Sequence, residues 1–267
     1  MAKKPGDKNK TPILLKKKEG IAYLTLNRPD VLNTLNREML EQLVRILDTV
    51  RSDDTVKAVI ITGSGNKAFS AGADIGFFST ASPLEVRERA QLAVNTYARI
   101  ENLGKPVVAA INGYALGGGL ELAEACTLRI AAGAAKLGHP EVRIGAVAGW
   151  GGTTRLPRLI GKGRAAELLL TGRMISADEA LNMGLVNRVV TPGKLLAEAE
   201  ALLREVLYQA PLAVKMTWEA MHRGCDMTLD ESTRLGADYF GLIAATEDFR
   251  EGTKAFLAKR PPVFKGK

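Results

Sequence analysis

Pro106-Val107-Val108-Ala109-Ala110-Ile111-Asn112, running on into Gly113-Tyr114-Ala115-Leu116-Gly117-Gly118-Gly119-Leu120-Glu121, is the stretch from which the fold class follows. Its first half is a short run of small and β-branched residues, the composition of a strand buried on both faces. Its second half is a turn rich in glycine that opens into a helix from about Gly119 to Ala125. A buried strand feeding a helix through a tight glycine turn is the repeating unit of an α/β protein.

The same alternation recurs on both sides. Ile13 to Leu26 reads as two short strands around Glu19-Gly20, and Val56 to Thr62 as a buried strand. Between them, Met39, Leu40, Leu43, Ile46, Leu47 and Val50 share one face of a helix over Asn36 to Arg51. Gly63 to Asp74 is a loop of small residues, and Ser82 with Glu85 makes a capping box with Pro83 at the first helical position. Thr127 to Ala131 and Val186 to Val190 are further short strands, and Ser176 with Glu179 is another capping box. From Pro192 onward no strand pattern survives. Helices are predicted at 192–209, 211–223, 228–245 and about 247–258, with Gly224 as a stop and Thr228 with Glu231 as a cap. The residues by themselves predict a generic doubly wound sheet with an all-helical C-terminal part, and give no account of how the strands wind.

The 267 residues are 46 % hydrophobic, enough for a sizeable core. No apolar run approaches the roughly 18–20 residues of a membrane span, and no membrane association is expected. MAKKPGDKNK has no apolar stretch after its lysines and no Arg, so it reads as a solvated extension, neither a secretory signal nor a mitochondrial presequence. Cys126 and Cys225 suit a reducing compartment, and a cytoplasmic location is expected. His139 and His222 are the only histidines, which excludes a metal site built from several histidines and makes a Ser-His-Asp triad improbable; no G-x-S-x-G elbow is present. The net charge of +8 is concentrated at the ends: residues 1–18 carry +6, residues 250–267 carry +5, and the remainder is net −3. A folded basic face for nucleic acid is therefore not expected; basic ends support weak, non-specific contact with polyanions.

Three stretches carry chemistry. Lys67 to Ile75 (KAFSAGADI) lets a ligand approach exposed backbone N–H groups, though read alone it is an ordinary strand-to-helix loop. Gly117-Gly118-Gly119 puts unpaired donors at the start of a helix, where a developing oxyanion is stabilised, and Glu121 lies in the first turn of that helix. The run is neither G-x-G-x-x-G nor a P-loop. Gly138-His139-Pro140-Glu141 places a carboxyl in apolar surroundings, where a raised pKa suits an acid; the alternative is a partly exposed Glu141 paired with Arg143 or Arg155. His139 reads as a packing or hydrogen-bonding residue.

FSAGADI, then ALGGGLELA, then GHPE, then the Gly151-Gly152-Thr153-Thr154-Arg155-Leu156-Pro157 block, in that order over nearly the whole chain, resembles the enoyl-CoA hydratase (crotonase) family. Thr171-Gly172-Arg173 to Ala180, Gly184-Leu185-Val186 and EGTKAFLAKRPPVFKGK resemble its later blocks, and the twenty residues between Glu121 and Glu141 match its two-glutamate hydratases. The resemblance implies an α/β fold wound as a crotonase-like spiral of ββα units. Its domains would be a flexible basic tail at 1–12, a core at 13–195 and a helical trimerisation region at 196–267. It implies a homotrimer or a homohexamer built as a dimer of trimers, an acyl-CoA thioester substrate, and no metal or separate cofactor, CoA being part of the substrate.

What it implies for the site is specific. The backbone N–H groups of Ala73 and Gly118 would form the oxyanion hole. Glu121, as carboxylate, would activate water for attack at C3, and Glu141, as the neutral acid, would protonate C2. Lys67 matches a position near the CoA phosphates, and Lys259 one that reaches a neighbouring subunit's CoA. Val31, Ala71 and Ile75 would offer backbone to the adenine, with Asp74 in the same substrate-binding loop. Two expected basic positions are absent: Asp30 and Gly76 stand there. Ala148 and Trp150 replace a proline and a small residue of many relatives, so the Trp150 indole would narrow the acyl pocket; simple core filling is the alternative. Relatives with other enolate chemistry (isomerases, decarboxylases, hydratases of cyclic dienoyl-CoA) and relatives that bind RNA are the competing functions.

Overall fold

A computed structural model describes residues 11–267. Most of the basic tail assigned to residues 1–12 therefore lies outside the described residues. The chain divides into two compact units, one running to Glu200 and the other Ala201–Lys267.

The first unit begins with a hairpin, β1 (Ile13–Lys18) and β2 (Ile21–Leu26), whose two-residue turn is Glu19-Gly20, both at positive φ. Then follow α1 (Arg37–Ser52), β3 (Ala58–Gly63), β4 (Ala68–Ser70), α2 (Ile75–Phe78), α3 (Pro83–Glu101), β5 (Val107–Ile111), β6 (Tyr114–Leu116), α4 (Gly118–Glu124), β7 (Leu128–Ala132) and β8 (Lys136–Gly138). After a 3-10 turn at Glu141–Ile144 come α5 (Gly152–Ile160), α6 (Lys162–Thr171), β9 (Met174–Ser176), α7 (Ala177–Met183), β10 (Arg188–Val190) and α8 (Leu195–Leu207), the last crossing into the second unit.

Two sheets result. One has six strands in the order β1-β2-β3-β5-β7-β10; the other has four, in the order β4-β6-β8-β9. From β2 onward the larger sheet is parallel. Its order never reverses, so it lacks the switch point that a doubly wound sheet requires. The chain instead lays one strand in the large sheet and the next in the small one, then turns back through helix: a spiral of ββα turns. The generic sheet read from residues alone is corrected by this. The strands β4 and β6 lie where the sequence predicts loop, and β8 and β9 are equally short; three residues carry too little periodicity to mark a strand.

The longer elements form for the reasons the sequence suggested. Asn36 caps α1 through Met39 N–H, and all six apolar residues of its predicted face are buried. Both capping boxes close, at Ser82/Glu85 and Ser176/Glu179. Each of the large fully buried aliphatics contributes roughly 1.5–3 kcal/mol. Two asparagines tie the loop before β4. Asn33, buried at φ +55°, donates to the carbonyls of Ser64 (3.0 Å) and Ala68 (2.8 Å) and accepts from Arg28 N–H. Asn112 accepts from Gly63 N–H and donates to Gly65 and Ala68.

The second unit holds the end of α8, α9 (Pro211–Gly224), α10 (Leu229–Ile243) and α11 (Glu247–Leu257). Thr228/Glu231 closes a third capping box. Buried Asp248 accepts from the N–H groups of Lys265 and Gly266, folding the C-terminal residues back on α11. Leu229, Phe240, Leu242, Phe256, Leu257 and Val263 are exposed.

Asn33→Ala removes four side-chain hydrogen bonds, one buried and three part-buried, and places a residue without Asn's local bonding in the left-handed region. The expected loss is about 2–4 kcal/mol, read from the urea midpoint. A loss below about 1 kcal/mol would contradict the role given to Asn33.

Candidate active site

Glu121 lies in the first turn of α4, a helix buried along all its seven residues. Three glycines make that burial possible. A β-carbon on Gly119 would collide with the Ser70 carbonyl, and one on Gly118 would lie 2.6 Å from the Trp150 ring. Backbone therefore packs against backbone where any side chain would hold it off. A helix of seven residues supplies individual N–H groups more than a long dipole.

Glu121 is 1 % exposed. Its Oε1 accepts backbone N–H bonds from Trp150 and Gly152, both 2.8 Å. Burial pushes it up to about 7; the Gly152 N–H and the nearby His139 charge pull it down, and Glu124 and Glu141 push it further up.

Glu141 opens the 3-10 turn after β8, and its side chain is 15 % exposed. It reaches toward the glycine turn: a β-carbon on Gly117 would lie 2.9 Å from its Oε1. The deep apolar burial expected of Glu141 thus falls on Glu121. The cause is local: Val142 to Val147 are exposed, whereas α4 is enclosed throughout. Arg155 does not pair with Glu141; it grips Glu101 through two bonds of 2.6 and 2.8 Å.

His139 joins the two acidic segments. Its ring is fully buried, with Nε2 2.9 Å from Glu124 Oε1 and Nδ1 3.7 Å from Glu141 Oε1. Glu124 was not singled out from sequence. Its spacing of three from Glu121, on the adjoining face of one helix, was the available signal. Tyr97, also missed, donates its hydroxyl to the Gly118 carbonyl at 2.7 Å and meets the Trp150 ring edge-on at 6.3 Å.

The two expected donors are brought together. A β-carbon on Gly118 would be 3.5 Å from Ala73 N, and one on Gly72 would be 3.3 Å from Gly118 N. Their neighbours are tied: Asp74 N–H donates to Leu35 and Gly117 N–H to Gly138. The Ala73 and Gly118 N–H groups donate to no acceptor among the described residues. They are therefore available to an incoming oxygen.

Trp150, 6 % exposed, packs its ring against Gly118 on the floor of this region. The Ala71 N–H bonds the Leu32 carbonyl at 2.9 Å, which sets exposed Val31 beside the loop that carries exposed Ile75. Asp74 faces Arg28 at 3.9 Å. Lys67 is exposed at the loop's start, where its carbonyl accepts Tyr114 N–H. Lys259 lies in the second unit, exposed past α11 at φ +52°. Among the described residues, no group of three or more His, Cys, Asp or Glu side chains is arranged to hold a metal. No helix among them is long and apolar enough to cross a membrane.

The chain is similar to known proteins over nearly its whole length. Residues 16–267 match the family model for enoyl-CoA hydratase/isomerase. The crotonyl-CoA hydratase of Syntrophomonas wolfei is 46 % identical over 94 % of this chain and 97 % of its own. The short-chain-enoyl-CoA hydratase of Clostridium acetobutylicum is 42 % identical over 93 % and 95 %. The crystal structure of an enoyl-CoA hydratase from Bacillus anthracis superposes with a TM-score of 0.92 at 39 % identity, covering 96 % of this chain and all of that one. By sequence, fold and the order of its glycine and glutamate segments, the chain belongs to the enoyl-CoA hydratase/isomerase family.

Proposed function

We propose that the protein is an enoyl-CoA hydratase, adding water syn across the double bond of a 2-enoyl-CoA to give a 3-hydroxyacyl-CoA, reversibly. The observation that carries this is the approach of two carboxyl-bearing segments, those of Glu121 and Glu141, to one glycine turn beside two undonating amides. The relatives named as crotonyl-CoA and short-chain-enoyl-CoA hydratases support the same reading.

The chemistry follows from charge. The thioester oxygen accepts from Ala73 and Gly118 N–H, which draws electrons from C3. Glu121, with Oε1 occupied by two backbone donors, keeps Oε2 for water. A carboxyl near 7 is poised as a base at neutral pH. It takes a proton as the water oxygen bonds to C3, and Glu141 delivers a proton to C2. The sum is the addition of H and OH, with no electrons gained or lost, so the reaction calls for no redox cofactor. Lys67, Ala71, Val31, Asp74 and Ile75 are assigned to the CoA moiety, and Lys259 to the CoA of a neighbouring subunit. We assign the protein to fatty-acid metabolism in the cytoplasm, as a homotrimer or homohexamer. The exposed apolar side chains of α10 and α11 support assembly through the helical unit.

Hydration is read as loss of the conjugated thioester absorbance of short 2-enoyl-CoA, with a 3-hydroxyacyl product. Glu121→Gln and Glu141→Gln should each lower kcat by about 10²–10⁴ with KM changed only a few-fold. A variant retaining more than a tenth of wild-type kcat contradicts its residue's role, and a product with a merely shifted double bond contradicts hydration.

Trp150→Ala deletes the indole and keeps the backbone N–H that holds Glu121. It should shift kcat/KM toward bulkier acyl groups by on the order of tenfold. Unchanged chain-length preference would leave Trp150 as core filling.

Burial of Glu121 also has a cost in stability. Its folded value of about 7 lies above the ordinary carboxyl range, so the native state binds more protons than the unfolded chain between about pH 4.5 and 7. Stability from this group is full below that window and falls as pH rises through it, by roughly 3 kcal/mol in all. Glu121→Gln should therefore raise Tm at pH 8 and much less at pH 5; an equal shift at both contradicts the burial argument.

A further inference from the structure

Hydration as described uses neither His139 nor Glu124, yet both are buried beside it. Few buried side-chain polar atoms lack a hydrogen-bond partner among the described residues, and three of them fall in this one cluster: Glu124 Oε2, His139 Nδ1 and Glu141 Oε2. A cluster that served only to hold the fold would close its hydrogen bonds. This one is closed on the side away from the reaction, at Glu124 Oε1 to His139 Nε2, and open toward Glu141, where Nδ1 stands 3.7 Å from Oε1.

We infer that His139 is a positioning residue for hydration: a buried imidazolium, anchored by Glu124, that aims Glu141 and holds the negative charge Glu141 acquires when its proton leaves for C2. The inference rests on the hydratase reading above. Closing the 3.7 Å gap by less than 1 Å makes a charge-assisted Nδ1–H to carboxylate bond. The anchor fixes the ring. With Nε2 committed to Glu124, Nδ1 can point only along the Glu141 side. The ring also lies near the other carboxyl: a β-carbon on Gly152 would be 2.7 Å from His139 Cε1 and 3.2 Å from Glu121 Cγ. One fixed cation therefore faces both carboxyls, Glu141 through Nδ1 and Glu121 through space.

The charge on the ring is sustained by its surroundings. Burial alone would push the imidazolium down, but the Glu124 charge and hydrogen bond, reinforced by Glu141, outweigh it and push it up to about 10. The groups that bear on it are few. On α4 they are Glu121 and Glu124, and Glu141 stands on the following turn. Arg155 from α5 and Arg129 from β7 act on Glu124, and Tyr97 from α3 faces Glu121.

The test uses the intact protein with but-2-enoyl-CoA. His139→Gln keeps a hydrogen-bonding side chain and removes the charge. It should lower kcat by on the order of tenfold or more with KM within about threefold. The ionisation of kcat that reports Glu121 should move up, since the His139 charge that holds it down is gone. Glu124→Gln should instead add a new ionisation near or below neutral pH, from a His139 that burial now discharges. In wild-type protein carrying 15N-histidine, the His139 ring should remain doubly protonated at pH 8. Wild-type kcat and a superimposed pH profile in His139→Gln overturn the inference while leaving the hydratase reading standing, and so does a neutral His139 ring at pH 7. A wild type that hydrates no 2-enoyl-CoA overturns the hydratase reading and the inference with it.

Discussion

Glu121 is 1 % exposed, and its carboxyl is held out of bulk solvent with two backbone N–H bonds to a single oxygen. Most of the site's construction follows from the need to make this tolerable. Trp150 and Gly152 can offer their N–H groups only because α4 comes close, and α4 comes close only because its first turn is glycine. A β-carbon on Gly152 itself would press on His139, Ala148 and Glu121 together. The glycines of the two segments are thus geometric requirements of one carboxylate, each removing an obstacle between backbones that must touch.

The ββα winding serves the same end. Strands that alternate between two sheets bring the loop after β4, the turn after β6 and the segment after β8 to one edge of the small sheet, since β4, β6 and β8 are neighbours there. Ala73, Gly118 and Glu141 follow those three strands in turn. Asn33 and Asn112 secure the first loop, and Tyr97 secures the peptide at Gly118. One donor comes with the Ala73 loop, the other donor and the base with α4, and the acid with the turn after β8.

Much of this was legible in the sequence, and what was not has identifiable causes. The periodicity of α1, the capping boxes and the strand Val107–Ile111 were readable because each is a local signal repeated over several residues. The small sheet was unreadable because three-residue strands carry no usable period, and without it the winding of the fold could not be derived from residues alone. At the site, Glu121, Glu141 and the two glycine-bearing loops stood out through composition and order. Which carboxyl would be buried did not, because that depends on whether the following residues pack or protrude. Glu124 carried no signal of its own, and His139 read only as a packing or hydrogen-bonding residue, for a related reason. An acid in a helix and a histidine before a proline are common, and only tertiary contact makes them a pair.

The central claim is that one water and one thioester oxygen are held between the segments of Glu121, Glu141, Ala73 and Gly118. A crystal structure with a bound 3-hydroxyacyl-CoA tests it most directly. The account predicts the thioester oxygen at about 3 Å from both Ala73 N and Gly118 N, with the C3 hydroxyl within hydrogen-bond reach of both glutamates. A thioester oxygen bonded elsewhere, or a hydroxyl that meets neither carboxyl, would contradict it.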